Sequence, residues 1–398
     1  MRAYLDYAAG APARPVAVEA MLGWLEGRVG NPSGAHSAAR EARSALESAR
    51  EDLASVLGAA PGEVVLTGGG TEADNLAVLG AVAGRRRAGL PDGALVVSSI
   101  EHHAVSRAAA AAGLPVREVG VDCRGVVDLD QMADALDPGV ALVSVMAVNN
   151  EIGVAQPVEE VAALARRLAP SAVVHTDAVQ AMPWQDLGPL VSAVDLVTIS
   201  GHKFGGPQGV GALVARDGVP LAPQLHGGGQ ERDRRAGTHN VAGVLGMASA
   251  AVAAAASREV EATAVAARRD RLESALLASL DGVTVSGAGA PRAPGFAHLC
   301  FEGVESEALI LLLDEAGVCA SAGASCASGA TEPSHVLVAM RVPDRYRGGA
   351  LRLSLGHGST DRDVDAAIEA VHSVVRRLRA RADARSGARS GARLAGAS

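Results

Sequence analysis

Lysine is almost absent from this chain of 398 residues: Lys203 is the single lysine among 36 basic residues. Aromatic residues are also scarce, at 2% of the chain, although hydrophobic residues make up 48%. A hydrophobic core must therefore be built from alanine, valine and leucine. The chain is long enough for one large domain or two ordinary ones.

The cysteine spacing and the net charge exclude several classes of protein. The cysteines lack CxxC spacing, which argues against structural zinc and secreted disulfide scaffolds. The net charge of −8 argues against a general nucleic-acid or membrane-surface binder. The first residues contain no apolar signal segment, and charges interrupt the alanine-rich stretch at 248–267. We therefore expect no membrane span and a cytoplasmic location.

Short β-branched runs alternate with longer helical patterns, which predicts an α/β fold with a large, mainly parallel sheet. After about residue 260 the rhythm changes, and we expect a second, smaller α+β domain. The expected bounds are 14–258 for the large domain, 1–13 plus 259–380 for the small one, and 381–398 for a disordered basic tail. The predicted strands are Glu63–Thr67, Ala94–Ser99, Val140–Val145, Ala172–Thr176, Val194–Ile199, Val210–Ala215, Ala297–Phe301 and Ala350–Ser354. The predicted helices are Ala38–Leu57, Glu72–Arg87, Asp130–Leu136, Val158–Leu168, Val241–Leu280 with at least one break, Glu305–Ala316 and Asp361–Arg379.

Lys203 ends the tetrapeptide Ser200-Gly201-His202-Lys203, between an apolar run and a glycine-rich stretch. A lysine delivered from a strand end into a glycine-lined cavity can lose its proton through desolvation and form a Schiff base. The neighbouring Ser200 and His202 could hold a phosphate. The alternative is a surface lysine in a loop, but a chain that avoids lysine elsewhere suggests a chemical need for this one.

A second anion site is indicated by Thr67-Gly68-Gly69-Gly70-Thr71-Glu72, which lies between a strand and an amphipathic helix. Glycines let backbone amides approach an anion, and the helix N-terminus adds its positive dipole. Gly70 and Thr71 are the candidate phosphate ligands. The alternative is a plain tight turn with Thr71 as the helix N-cap, because neither a Walker loop nor a GxGxxG motif is present.

Polar residues at two further strand ends suit a planar cofactor. Asp177 could hold a protonated ring nitrogen, as pyridoxal phosphate requires, and Gln180 could donate to a ring oxygen. His102 could stack on such a ring and move protons near neutral pH. The alternatives are a helix N-cap for Asp177 and a metal at His102-His103, although no third ligand accompanies that pair at a suitable local spacing.

Two residues in the C-terminal part carry further chemistry. Cys326 lies in a run of small residues, and an accessible, mobile thiol suits a nucleophile that travels between sites. The other cysteines, Cys123, Cys300 and Cys319, fit buried small hydrophobes. Arg352 is a lone charge in a strand pattern and could clamp a carboxylate, or else pair with an acidic side chain nearby.

Taken together, these segments resemble the cysteine desulfurases, pyridoxal phosphate enzymes of the class V aminotransferase family. The resemblance extends from Tyr4 to about Arg379, and the stretch from Cys326 to Met340 is long, as in the iron–sulfur-assembly branch. It implies a fold type I, aspartate-aminotransferase-like enzyme that acts as a homodimer. The matching stretches, in family order, are Gly30-Asn31-Pro32, Thr71-Glu72-Ala73-Asp74-Asn75, Val148 to Gly153, Ser200 to Lys203, His226 to Gly229, Arg235 to Thr238 and Glu332-Pro333-Ser334.

The resemblance also implies a role for each matching residue. Lys203 would bind the cofactor covalently, Cys326 would be the nucleophile, and His102 would stack on the ring and assist proton transfer. Asp177 would pair with the ring nitrogen and Gln180 with the ring hydroxyl. The phosphate would be held by Gly70, Thr71, Ser200 and His202, and by Thr238 of the other subunit. Asn150 would contact cofactor or substrate, and Arg352 the substrate carboxylate.

The implied reaction converts L-cysteine to L-alanine and leaves the sulfur on Cys326 as a persulfide. The acceptor would be a scaffold or thiolation enzyme in iron–sulfur cluster assembly, tRNA thiolation or another thiolation. No resident metal is expected, although Cys326 would be able to ligate an iron–sulfur cluster transiently. The alternatives are a selenocysteine lyase, another pyridoxal phosphate lyase or aminotransferase of the same fold, and a non-catalytic scaffold. The residues do not name the acceptor or a role for the tail.

Overall fold

The computed structural model describes residues 2–323 and 334–395, with side chains as far as residue 382. The helices are α1 Pro15–Glu26, α2 Ser37–Leu57, α3 Gly70–Asn75, α4 Ala81–Arg87, α5 His103–Ala111, α6 Leu129–Ala135, α7 Val158–Leu168, α8 Gly188–Ala193, α9 Val241–Ser279, α10 Ser306–Glu315, α11 His335–Ala339, α12 Asp344–Arg347 and α13 Asp361–Ala395. The strands are β1 Ala3–Tyr4, β2 Val64–Thr67, β3 Ala94–Ser98, β4 Val116–Val119, β5 Val140–Ser144, β6 Val173–Asp177, β7 Leu196–Ser200, β8 Gly211–Ala215, β9 Val283–Val285, β10 Phe296–Phe301, β11 Val318–Cys319 and β12 Ala350–Ser354.

A seven-stranded sheet with the order β2-β8-β7-β6-β5-β3-β4 organises the larger part of the molecule. Strands β4, β3, β5, β6 and β7 run parallel to one another, and β8 is antiparallel to both of its neighbours, β7 and β2. All inner strands are fully buried, because their valine- and leucine-rich sequences are apolar on both faces and helices cover both sides. The predicted α/β fold with a mainly parallel sheet is confirmed.

The strand directions bring the candidate residues to one edge of this sheet. Parallel strands end at the same edge, and the segments that follow β3, β5, β6 and β7 all leave it there. The two antiparallel pairings through β8 restore the direction of β2, so the glycine loop after β2 leaves from the same edge. Ligands in open α/β sheets bind outside the carboxyl ends of the strands.

A smaller region is built around the antiparallel sheet β12-β10-β9. One face of β10 and β12 packs Leu299, Leu351 and Leu353 against α9 and α13 in a separate hydrophobic core. The N-terminal strand β1 pairs in parallel with β11, and Asp6 bridges to Ser354 of β12. This pairing places the first residues of the chain beside Arg352.

Two predictions about the helices are wrong: a break in one helix and the end of another. Helix α9 runs unbroken from Val241 to Ser279, where a break was expected, because alanine is the strongest helix former and its glycines lie in the first turns. Helix α13 continues past Arg379 to Ala395, through residues predicted as a disordered tail. Alanine and arginine dominate that segment, and both favour helix enough to offset the glycines.

Helix α9 is, within the described ranges, the helix that is long and apolar enough to cross a membrane by length and composition alone. Half of its apolar window is buried inside the protein, and it packs along α1, α2 and α13. Small alanine side chains let the neighbouring helices approach it closely. These contacts are those of a core helix.

Candidate active site

A cavity of about 460 Å³ lies at the carboxyl edge of the large sheet, where the smaller region covers it. Ten of the predicted site residues line it, and they come from segments that are far apart in the sequence. The ten are Gly70, Thr71, His102, Asn150, Asp177, Gln180, Ser200, His202, Lys203 and Arg352.

Lys203 enters the cavity from a short 3₁₀ turn that directly follows β7. Its Nζ donates to the carbonyl oxygens of Ala8 at 2.7 Å and Ala9 at 3.0 Å. Burial, assisted by the positive charge of Arg352, lowers the pKa of Lys203 to about 8. A substantial share of the amine is therefore unprotonated near neutral pH, as covalent chemistry with a carbonyl group requires.

Asp177 is the last residue of β6 and lies at the floor of the cavity, 5% exposed. Burial raises its pKa to about 6, although the backbone N–H of Val179, which donates to Oδ1 at 2.9 Å, opposes the rise. A buried carboxylate of this kind is suited to a protonated ring nitrogen. Gln180, three residues further along the chain in a turn, donates from Nε2 to the Ala8 carbonyl at 2.8 Å.

The glycine loop after β2 forms the opposite end of the cavity. Helix α3 begins at Gly70 and continues through a π-helical turn into α4, so the backbone N–H groups that are left unpaired at the start of a long helix belong to a segment that lines the cavity with Gly70 and Thr71. A Cβ on Gly70 would lie 3.0 Å from Cγ2 of Val179 and 3.3 Å from Cβ of Ser200, so the close approach requires glycine. Ser200 Oγ and His202 Nδ1 lie 3.0 Å apart beside this helix start. The arrangement suits a phosphate.

His102 caps α5, and its Nδ1 accepts the backbone N–H of Ala104 at 3.2 Å. Burial, together with the charge of Lys203, lowers the pKa of His102 to about 4. The ring is therefore neutral at physiological pH and carries its proton on Nε2, because Nδ1 is the acceptor. A neutral imidazole ring can stack on a planar cofactor without placing a positive charge that has no partner in the cavity.

Arg352 reaches the cavity from β12 and is 5% exposed. Its Nη1 donates to the Asn150 carbonyl at 2.7 Å and its Nη2 to Asp6 Oδ1 at 2.8 Å. Its Nε has no partner among the described residues. The guanidinium is thus held firmly on a strand that lines the cavity, and each Nη atom has a second N–H besides the one used, which suits recognition of a carboxylate.

Two buried acids at the site were missed by the sequence analysis as functional candidates. Asp74, on the first turns of α3, lines the cavity, and Glu101 lies buried just before His102. Oxygen atoms of Asp74 and Asp177 and a ring nitrogen of His102 lie within 4.8 Å of one another. The sequence offered only local spacing around His102-His103, whereas this cluster joins three separate elements. Asp74 lies in the motif Thr71-Glu72-Ala73-Asp74-Asn75. The signal that could have drawn attention to it is an acidic residue at a position of the predicted helix that is expected to be buried.

Thr238 is exposed and does not line the cavity of its own chain. It lies after a turn in which Glu231, Arg232 and Asp233 have φ of 49°, 56° and 62°. Glu231 fixes this turn by accepting two hydrogen bonds from Arg50 at 2.7 Å and one from the Leu66 amide at 2.8 Å. The segment that presents Thr238 is therefore rigidly anchored at its base.

Cys326 lies outside the described residues. Ser321 and Gly323, which precede it, line the cavity.

The residues of the cavity fit pyridoxal phosphate. The helix start at Gly70 suits its phosphate, the Asp177 carboxylate suits its ring nitrogen, and Lys203 suits its aldehyde. Asp74 Oδ1, buried beside Asp177, is without a hydrogen-bond partner in the described part of the chain, as expected for a site shaped around a bound group.

Known proteins resemble this chain over nearly its whole length. A family model for aminotransferase class-V matches residues 3–367. The chain is 43% identical over 376 residues to an IscS-like cysteine desulfurase from Mycobacterium tuberculosis, covering 93% of this chain and 95% of the relative. A solved NifS-like protein superposes with a TM-score of 0.87 at 33% identity, covering 94% of this chain and 99% of the other. SspA, solved in complex with cysteine, superposes with a TM-score of 0.77 at 30% identity, covering 89% and 99%. The chain therefore belongs to the class V aminotransferase family, and within it to the pyridoxal phosphate-dependent cysteine desulfurases.

Proposed function

We propose that the chain releases L-alanine from L-cysteine and retains the sulfur as a persulfide on Cys326, with the ten cavity-lining residues in the roles that the resemblance implies. The observation that carries this proposal is the convergence of Lys203, Asp177, His102 and Arg352 in one cavity. Pyridoxal phosphate, when bound, supplies an electron sink for the bonds around the substrate's α-carbon.

Arg352 would bind the substrate carboxylate. Its remaining Nη N–H donors and its fixed position on β12 would allow charge-assisted hydrogen bonding to the carboxylate at little entropic cost. Asn150 lies beside it through the Nη1 contact and would help to orient the substrate. The substrate's sulfur would then face the segment that begins at Ser321 and Gly323.

Proton transfer falls to Lys203 and His102. The lowered pKa of Lys203, about 8, lets its Nζ exchange a proton near neutral pH. His102 stays neutral and would assist by donating a hydrogen bond from Nε2, while the Lys203 amine would carry the proton. Burial of both groups keeps competing water away from the reacting atoms.

Sulfur transfer then follows from the Cys326 thiolate. It attacks the substrate sulfur, so that a sulfur–sulfur bond forms as the carbon–sulfur bond breaks. The electron pair remains with the carbon fragment, which takes up a proton and leaves as alanine. The persulfide would then be delivered to an acceptor protein for iron–sulfur cluster assembly or thiolation.

The proposal includes a cytoplasmic homodimer. Thr238 is exposed on an anchored segment and does not line its own cavity, so it would complete the phosphate site of the partner subunit. Residues 14–258 would form the cofactor-binding domain, and residues 1–13 with 259–380 the domain that carries the cysteine segment.

The test is alanine formation from L-cysteine, measured together with the visible absorbance of the bound cofactor. We expect Lys203→Ala to lower turnover by about 10²–10⁴-fold and to abolish the covalent absorbance band. Cys326→Ala should lose turnover by on the order of a hundredfold or more but keep the band, because the thiol acts after the cofactor has bound.

The matched control is Cys123→Ala, which removes an exposed free cysteine away from the cavity. It should keep both turnover and absorbance. Full turnover in Cys326→Ala would contradict the persulfide route, and a persistent covalent band in Lys203→Ala would contradict the attachment point. Faster turnover of L-selenocysteine by Cys326→Ala than of L-cysteine would favour the lyase alternative.

A further inference from the structure

Asp74 is a buried carboxyl that none of the proposed roles uses. It lies on α3, is 1% exposed, and lines the cavity beside Asp177. Its Oδ1 has no hydrogen-bond partner within residues 2–323 and 334–395. An unpartnered buried polar atom is costly, so its position in a ligand cavity calls for a function.

The surroundings of Asp74 give its charge little support: a hydrogen bond with the Thr198 side chain favours the ionised form, but burial and the charges of Asp177 and Glu101 outweigh it. His175 Nε2 lies 3.6 Å from Oδ1, beyond hydrogen-bond distance, and points instead to Thr198 Oγ1 at 3.1 Å. Burial lowers the pKa of His175 to about 3, so this ring is neutral and forms no ion pair. The titratable groups that face Asp74 are Asp177 and His175 on β6, and Glu101 and His102 between β3 and α5, while Lys203 after β7 faces Asp177.

Only one of the two carboxyl groups, Asp74 or Asp177, can readily be ionised at a time. Their oxygens lie within 4.8 Å of each other in a buried place, where two ionised carboxylates repel strongly. Asp177 has a backbone donor and the Lys203 charge to support it, whereas burial and the Asp177 charge raise the pKa of Asp74 well above its ordinary value. The proton therefore belongs on Asp74.

We propose that Asp74 is a positioning residue for the cofactor: a neutral acid whose O–H donates towards the Asp177 carboxylate, so that the pair presents one oriented negative charge to the ring nitrogen. A protonated carboxyl has one such donor. A carboxylate oxygen can accept two hydrogen bonds, so Oδ1 of Asp177, which accepts the Val179 N–H, would also take the Asp74 O–H and leave the second oxygen free for the ring. The inference rests on the proposed function only for the identity of the ligand.

The experiment compares Asp74→Asn with Asp74→Leu in the full-length chain. Asparagine keeps a neutral donor, and leucine keeps the shape without one. The readouts are the dissociation constant of pyridoxal phosphate and the NMR shift of its isotope-labelled ring nitrogen, which reports protonation. We expect Asp74→Asn to retain the wild-type shift and an affinity within about threefold, and Asp74→Leu to bind about tenfold more weakly with partial loss of ring protonation.

Either variant can overturn the proposal. A lost ring proton in Asp74→Asn would show that Asp74 is ionised, and wild-type affinity and shift in Asp74→Leu would show that it does not position Asp177. If Asp74→Leu fails to fold, the infrared difference spectrum of wild type minus Asp74→Asn decides: a protonated carboxyl band supports the proposal, and a carboxylate band overturns it. The variant Glu101→Gln identifies the infrared band of Glu101, another buried acid near the site. Absence of cofactor binding in the wild type would instead refute the proposed function.

Discussion

Two buried charged clusters in this protein are built on opposite principles. Around Glu231, hydrogen bonds from Arg50 and from His239 Nε2 at 2.6 Å outweigh the effect of burial and lower the pKa of Glu231 to about 2. In the cavity, burial raises the pKa of Asp177 to about 6 and that of Glu101 to about 8.

The difference shows how each cluster contributes to the protein. The Glu231 carboxylate is fully paired, and in that sense its cluster is complete, without a ligand, although Nδ1 of the neighbouring His239 is buried without a partner among the described residues. The cluster holds three consecutive left-handed residues, which cost about 1–3 kcal/mol each. The cavity cluster is incomplete without a ligand, since atoms of Asp74, Glu101 and Arg352 lack partners among the described residues. Buried titratable groups with raised pKa values and unpartnered atoms are typical of sites that bind or react, whereas a buried carboxylate paired with a cation is typical of structure.

The largest effect is expected from breaking the complete cluster. Glu231→Gln leaves the buried Arg50 guanidinium without its counter-charge, so we expect the free energy of unfolding to fall by about 3–5 kcal/mol. Denaturant unfolding of the cofactor-free chain measures this. Glu47→Gln is the matched control, because Glu47 also contacts Arg50 but is half-exposed, and it should cost no more than about 1 kcal/mol. Equal effects of the two variants would contradict the contrast.

A smaller effect is expected at the arginine of the incomplete cluster. Arg352→Lys keeps the positive charge but loses the planar fork and its several N–H donors. We expect KM for L-cysteine to rise by roughly 10- to 100-fold, the equivalent of 1.5–3 kcal/mol for charged hydrogen bonds, with a smaller change in kcat. Arg345→Lys, at an exposed ion pair, should leave KM unchanged. An unchanged KM in Arg352→Lys would mean that Arg352 only pairs with Asp6.

The smallest expected effect is a difference between the two clusters in how the free energy of unfolding depends on pH. Because the folded pKa of Asp177 is raised from 3.8 to about 6, its contribution to stability is present below pH 3.8 and is lost as the pH rises through 6. Asp177→Asn should therefore stabilise the cofactor-free chain at pH 8 by at least about 1 kcal/mol, given about 1.4 kcal/mol per pKa unit, and by progressively less towards pH 4.

The pKa of Glu231 is shifted in the opposite direction to that of Asp177, so the two residues can be compared. Its folded pKa is lowered from 4.5 to about 2, so its contribution is complete above pH 4.5 and is lost as the pH falls through 2. The stability difference between wild type and Glu231→Gln should therefore stay constant between pH 5 and 8, while that of Asp177→Asn grows. Parallel curves for the two variants would show that Asp177 is ionised at all these pH values.

The predicted elements of the large sheet agree with the structure because their signals are local. The buried strands lie within two residues of their predicted bounds, since continuous β-branched runs flanked by helical periodicity are explicit in the sequence. The edge strand β4, Val116–Val119, was missed because it is short, polar and mostly exposed. The break expected in α9 was wrong because alanine tolerates a helix through charged residues.

The sequence by itself determined the chemistry of this protein: a single lysine, a glycine loop, and an acid, a histidine and an arginine in an ordered set of motifs. Only the tertiary structure decided that Asp74 stands beside Asp177 and that Asp6 and Asn150 hold Arg352. Those contacts join segments up to 346 residues apart along the chain. Burial and proximity set which acid keeps its proton, and neither property is local to a motif.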